Sequence, residues 1–203
     1  MIAMSGNTNI SMPNFNCLQQ KVAKGDKQAF RQIFDALFDK LSKFAHSFVQ
    51  SQEASTEIVD EIFVQLWTKR ATIVQIIDLR VYLYTATKNA SLNYLTKRAK
   101  QIAIEPYDNL QVQIADCTAS PEQIMISKEI LQTIKAAIDA LPPRCKLIFK
   151  LVREDGLKYA EVAIVLNLSI KTIDNQMVMA VAKIKEAVRG SLEINRSKVY
   201  LKK

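Results

Sequence analysis

A chain of 203 residues that is 49% apolar, with only four glycines and five prolines, has the make-up of a folded, helix-rich protein. That composition excludes the collagen-like, low-complexity and disordered classes. A formal net charge of +8 favours an anionic partner, either nucleic acid or an acidic membrane surface.

The opening "MIAMSGNTNISMPNF" has no basic cluster followed by an apolar core, so it does not read as a secretory signal. Residues 1–24 read as an N-terminal extension. From Asp26 to Lys100 apolar residues recur at helical spacing with neither Pro nor Gly, which predicts about three or four helices and no sheet. Phe30, Ile33, Phe34, Leu37, Leu41, Phe44 and Phe48 follow steps of three and four and are expected in a bundle core. In "TEIVDEIFVQLW" the inward stripe is Ile58, Val59, Ile62, Leu66 and Trp67, while Glu57, Asp60 and Glu61 gather on another face. An acidic face on a basic protein marks a candidate docking surface. The apolar run "IVQIIDLRVYLY" is cut by Asp78 and Arg80 and falls short of the roughly 20 residues that span a membrane.

In "RVYLYTATKNASLNYLTKRAK" the cations Lys88, Lys97, Arg98 and Lys100 alternate with Tyr82, Tyr84 and Tyr94. That pattern allows phosphate neutralisation and base stacking from one helix; core packing of the tyrosines is the plainer alternative. Between Lys100 and Lys128 there is no Lys or Arg, whereas Glu105, Asp108, Asp116 and Glu122 are present. Residues 101–119 therefore read as an acidic, flexible linker.

A second helical block runs over residues 120–190. Ser120 can cap its first helix, Pro121 suits the first helical position and Gln123 can close a capping box. That helix stops at "LPP" (Leu141 to Pro143), and a further helix follows to Gly156. In "YAEVAIVLNLSIKTIDNQMVMAVAKIK" one helix buries Val162, Ala163 and Leu166, and "NLS" offers Ser169 as N-cap of the next. There Ile173, Met177, Ala180, Val181 and Ile184 point inward, leaving Lys171, Thr172, Asp174, Asn175, Gln176, Met179 and Lys183 outward. A helix-turn-helix places such an N-terminal end in the major groove, where Asn and Gln bond adenine, Lys bonds guanine and Thr meets a thymine methyl. A helical hairpin whose polar face meets only water is the competing reading. Residues 191–203, ending "NRSKVYLKK", read as a frayed basic tail.

Two stretches carry a family resemblance. "LPPRCKLIFKLVREDGLKYAEVAIVLNLSIKTIDNQM" resembles the fourth-region domain of bacterial RNA polymerase sigma factors, through Leu-Pro, Arg144, Gly156, Tyr159 with Glu161, and Ser169 with Thr172. "GDKQAFRQIFDALFDKLSKFA", "TEIVDEIFVQLWTKR" and "YLYTATKNASLNYLTKR" are similar to successive parts of the sigma second-region domain. Two-component response regulators share part of the first signature, but they begin with alternating strands and helices, and this chain does not. With a short linker and no room for other sigma regions, the chain is identified as a member of the extracytoplasmic-function group of the sigma-70 family.

The resemblance implies an all-α fold: two small helical domains, a region 2 bundle over residues 25–100 and a region 4 helix-turn-helix over residues 120–190, joined by the linker. It implies docking of Glu57, Asp60, Glu61 and Phe63 on the polymerase beta-prime clamp, with the second domain on the beta flap. Tyr82, Lys88, Asn89, Asn93, Lys97 and Arg98 would serve the minus-ten element, with the loop before Tyr82. Arg144, Lys146, Lys171, Thr172, Asn175, Gln176, Met179 and Lys183 would serve the minus-thirty-five element. Where relatives often carry Ser-Arg this chain has Val178 and Met179, so fewer phosphate contacts are expected in the recognition helix. The implied partners are core RNA polymerase, promoter DNA and an anti-sigma factor; a free-standing helix-turn-helix regulator is the alternative.

Catalytic chemistry finds little support in the residues. The single histidine, His46, lies on the helical run between Phe44 and Phe48, and no Gly-rich phosphate loop or nucleophile elbow occurs. The cysteines Cys17, Cys117 and Cys145 are odd in number and far apart, which argues against a disulfide framework or a paired-cysteine metal site. A cytoplasmic, non-enzymatic protein without cofactor, metal or small-molecule substrate is expected.

Overall fold

A computed structural model describes the backbone of residues 14–101 and 125–200 and the side chains of residues 14–100 and 131–190. Every element among the described residues is helical. The first block contains α1 (Phe15–Ala23), α2 (Lys27–Val49), α3 (Gln52–Thr68), a short 3-10 helix η1 (Arg70–Gln75) and α4 (Leu79–Gln101). The second contains α5 (Met125–Asp139), α6 (Pro143–Arg153), α7 (Tyr159–Leu166) and α8 (Ile170–Tyr200).

The helix boundaries follow local chemistry. Gly25 turns the chain at φ 89°, a conformation costly for a side chain, and Asp26 then caps α2 by accepting from the Gln28 and Ala29 amides at 2.9 and 3.0 Å. Ser51 Oγ accepts from the Ala54 amide at 3.2 Å to start α3. Asp78 Oδ1 accepts from the Arg80 and Val81 amides at 2.9 and 3.1 Å to start α4. Pro143 occupies the first turn of α6, where a missing N–H costs nothing.

In the first block Val22, Ile33, Leu37, Leu41, Val59 and Leu83 are sealed from solvent. Burying each such side chain is worth about 1.5–3 kcal/mol, which is what holds helices of mixed polarity together. In the second, Ile148, Leu151, Val162, Val165, Ile173 and Met177 are equally buried. The two sets merge into one apolar cluster, with α7 lying against α4. A smaller cluster of Leu141, Cys145 and Ala180 joins α6 to α8.

Two sequence expectations need correcting here. Residues 15–23, expected within an extension, form α1, which buries Leu18 and Val22 in the first block. The tail is helical to Tyr200 because nothing after Lys183 breaks the helix, and Gly190 sits where an added Cβ would meet open space. The linker and the cap expected at Ser120 lie outside the described residues.

Candidate nucleic-acid interface

Helix α4 divides by face. Leu79, Leu83, Tyr84, Thr87 and Ser91 are buried, and the Thr87 and Ser91 hydroxyls are satisfied by donating to the Leu83 and Thr87 carbonyls at 2.8 Å. Tyr82, Asn89, Asn93, Lys97 and Arg98 are exposed, and Lys88 is half-buried. Helical steps of seven and four bring Tyr82, Asn89, Asn93 and Lys97 onto one side. The interleaved tyrosines separate into roles: Tyr84 is core, edge-on to Phe44 at 5.2 Å; Tyr94 is half-buried; Tyr82, at 46% exposure, can meet a base.

The helix-turn-helix is built by its turn. Asn167 adopts the left-handed conformation at φ 55°, and the Leu168 amide reaches back to the Ala163 carbonyl at 2.9 Å, closing α7. Ser169 Oγ then accepts from the Thr172 amide at 3.0 Å and bonds the Thr172 hydroxyl at 2.8 Å, capping α8. Ile173, Met177 and Ala180 are buried as the spacing predicts. Lys171, Asn175 and Lys183 are exposed, with Thr172 and Gln176 half-buried beside them. Asn167 and Ser169 thus aim the polar end of α8 outward, with Lys171, Asn175 and Lys183 exposed on it.

Three sequence-predicted contact residues sit elsewhere. Lys146 is 4% exposed, and its ammonium pairs with Asp139 Oδ1 at 2.6 Å across the Pro142–Pro143 corner, so it ties α6 to α5 and cannot reach a phosphate. Met179 is half-buried against the Leu141–Cys145–Ala180 cluster instead of facing outward. Phe63 is 2% exposed and packs on Phe34 at 4.9 Å between ring centroids, so it lies beneath the acidic face of α3 and not on it. Arg144, two positions before Lys146 and so on the other side of α6, is exposed.

Glu57, Asp60 and Glu61 form the exposed acidic face of α3. Beside it opens a shallow cleft of about 250 Å³ lined by Phe30, Phe34, Asp60, Val64 and Trp67. Phe30 and Trp67 meet as tilted rings 5.0 Å apart and the Arg70 guanidinium lies 5.1 Å over the indole, so the carboxylates border an aromatic floor. Sequence periodicity assigned Phe30, Phe34 and Trp67 to the core alone; half-buried, they line an apolar cleft beside the acidic face.

Sequence reasoning did not foresee that Arg80, Tyr84 and Asp155 meet where the two blocks touch. Arg80 Nη2 donates to the Asp155 carbonyl at 2.9 Å. Burial pushes the Tyr84 hydroxyl well above its usual range, helped by the adjacent Asp155 carboxylate. Burial likewise raises the Asp155 carboxyl, against the opposing pull of Tyr84, Lys40 and Arg80. Among the described residues no group of His, Cys, Asp or Glu side chains could hold a metal ion.

Residues 33–101 match the family model for sigma-70 region 2, and residues 131–184 match that for sigma-70 region 4, together more than half of the chain. The chain is 22% identical over 169 residues to the ECF RNA polymerase sigma-E factor of Escherichia coli K12, covering 80% of this chain and 88% of that one. It is also 22% identical over 184 residues to the RNA polymerase sigma-H factor of Pseudomonas aeruginosa, covering 86% and 94%. Among solved structures it resembles CnrH in complex with the cytosolic domain of CnrY, at a TM-score of 0.51 and 19% identity, over 86% of this chain and 97% of that one. With region 2 ahead of region 4 along nearly the full length of such relatives, this chain belongs to the sigma-70 family of RNA polymerase sigma factors, in its extracytoplasmic-function group.

Proposed function

We propose that the chain binds core RNA polymerase through the acidic face of α3, directs it to a two-part promoter, and helps open the DNA there. The observation that carries this reading is the sorting of side chains on one polypeptide: carboxylates Glu57, Asp60 and Glu61 on one exposed face, and Tyr82, Asn89 and Lys97, then Lys171 and Asn175, on two others. A free-standing regulator has no use for the first of these. Residues 25–100, extended at the front by α1, would read the minus-ten element, and residues 120–190 the minus-thirty-five element.

The chemistry assigned to each face is binding. Phosphate neutralisation by Lys97, Arg98, Arg144 and Lys183 sets register and affinity, while Lys171, Asn175 and Gln176 read base edges. Opening the duplex costs a few kcal/mol per unstacked step, which exposed Tyr82 can offset by stacking on a freed base. The protein would act in the cytoplasm as a non-catalytic specificity subunit. By its likeness to CnrH, it would be held inactive by a protein partner that binds it as the cytosolic domain of CnrY binds CnrH.

Alanine replacement of Lys171, Asn175 and Gln176 together tests the assignment. Each lost base contact is worth about 1–3 kcal/mol, so promoter-specific initiation should fall at least tenfold, with core-polymerase binding unchanged. Unchanged initiation would remove α8 from promoter reading.

A further inference from the structure

The two blocks meet helix against helix at α4 and α7, but α2 of the first faces α5 and α6 of the second across a cavity. The cavity holds about 550 Å³, within the range of about 300–1,000 Å³ typical of small-molecule sites. Its apolar lining is Phe44 from α2, Leu131, Ile134 and Ile138 from α5, and Leu147 and Leu151 from α6. Steps of three and four set Leu131, Ile134 and Ile138 on one side of α5. Protein does not close over that stripe: Leu131 is 63% exposed, and Ile134 and Ile138 are half-buried. Apolar surface left open between two packed blocks gives a ligand of matching shape something to bury.

Charged side chains surround this lining, and their charge is unbalanced. Lys40 and Lys43 come from α2, Lys135 from α5 and Lys150 from α6, against the carboxylates of Asp139, Glu154 and Asp155. Asp139 is already matched by Lys146 at 2.6 Å, which leaves four cations to two carboxylates. Lys43, Lys135 and Lys150 form no ion pair among the described residues. His46 also lines the cavity, and its Nδ1 is buried without a hydrogen-bond partner, so the imidazole has bonding capacity to spare. Cations brought from both blocks to one apolar interior complement a molecule with an apolar body and an anionic head.

We propose that this cavity binds a small amphipathic anion, a carboxylate with an apolar body such as a free medium-chain fatty acid, and that the bound molecule holds the two blocks together. Because α2 supplies one wall and α5 and α6 the other, the site is complete only while the blocks are closed. A ligand that binds the closed arrangement alone, at a hundred times its dissociation constant, shifts the balance toward closure about a hundredfold. The consequence for transcription rests on the proposed function: blocks held together cannot be set on two separate promoter elements. Binding itself does not rest on it.

The test is calorimetric titration of the full chain with decanoate, kept below its micelle-forming concentration. Decanol and decyltrimethylammonium, which share the apolar chain but are neutral and cationic, are titrated alongside. One decanoate per chain is expected, bound at least tenfold more tightly than either of the others. The double variant Lys43→Glu with Lys135→Glu, and separately Leu131→Asp, should each weaken decanoate at least tenfold; all three positions are exposed, so the fold is kept. Fluorescence transfer between dyes on α2 and α8 should rise with decanoate in the unaltered chain and stay level in the variants. Run-off transcription by the reconstituted holoenzyme should fall with decanoate for the unaltered chain alone. No decanoate binding, equal binding of decanol, or binding that survives the charge reversal overturns the inference. So does a saturated site that changes neither fluorescence transfer nor transcription. If the unaltered chain starts no transcript even without decanoate, it is the proposed function that fails, and calorimetry and fluorescence still decide the inference.

Discussion

Lys146 shows how burial changes the meaning of a charge. Beside exposed Arg144 it looks like a phosphate contact in the sequence, because periodicity cannot report that Asp139 waits 2.6 Å from its ammonium across two prolines. Removing it takes away a buried ion pair and the packing of its aliphatic stem, so Lys146→Ala should lower unfolding stability by about 1–2 kcal/mol, seen in denaturant melts. Arg144→Ala should leave the melt unchanged and instead reduce the slope of log affinity against log salt by about 1 in promoter binding. Equal effects of the two variants on stability would contradict the division drawn here. The exposure of Lys171, Asn175 and Lys183 was legible from helical spacing alone. Phe63 and Met179 were not, since their placement depends on the rings and clusters of neighbouring helices.

At the level of elements, the turn between α7 and α8 decides whether the recognition helix is aimed at all. Asn167 is one of two non-glycine residues with positive φ among those described, and Asn tolerates the left-handed region better than residues whose side chains cannot bond locally. Asn167→Ala should therefore cost about 1–2 kcal/mol in thermal or denaturant melts, whereas Asn167→Gly should be nearly neutral. A stable Ala variant would mean that the turn is set by packing of Val165 and Leu168. The helix-turn-helix was readable because its caps, Asn167 and Ser169, are local signals. Helix α1 was not, for the opposite reason. Nine residues do not hold a helix alone, and α1 exists by burying Leu18 and Val22 and bonding η1 through Gln19.

For the whole molecule the consequence lies in the contact between blocks. Promoter elements named minus-ten and minus-thirty-five lie about 25 base pairs apart, or about 85 Å at about 3.4 Å per pair. On the proposed assignment of one element to each block, α4 and α7 packed against each other cannot address both, and the arrangement held by Arg80 and Asp155 would have to open on the promoter. The Asp155 carboxyl faces Tyr84 and Arg80 of α4 and Lys40 of α2, with Glu154 beside it, and its pKa is raised in the closed arrangement. A carboxyl that binds its proton more tightly when closed favours closure at low pH. That contribution is complete below the ordinary carboxylate pKa and is lost as pH rises through the raised value. Fluorescence transfer between dyes on α2 and α8 should therefore fall with rising pH, and Asp155→Asn should abolish that dependence. A pH response that survives the substitution would place the titrating group elsewhere. None of this contact was legible in the sequence, because Arg80 and Asp155 are 75 positions apart and neither breaks the periodicity of its own block.

Transcription initiation is the activity that decides what this chain does. Run-off transcription with core polymerase lacking sigma, on fragmented DNA from the source genome, with and without this protein, measures it directly. The prediction is discrete new transcripts that begin downstream of a shared two-part element and disappear when Lys171, Asn175 and Gln176 are replaced by Ala. No new transcript from a polymerase that remains active with its primary sigma, together with failure of the protein to bind core, would contradict it.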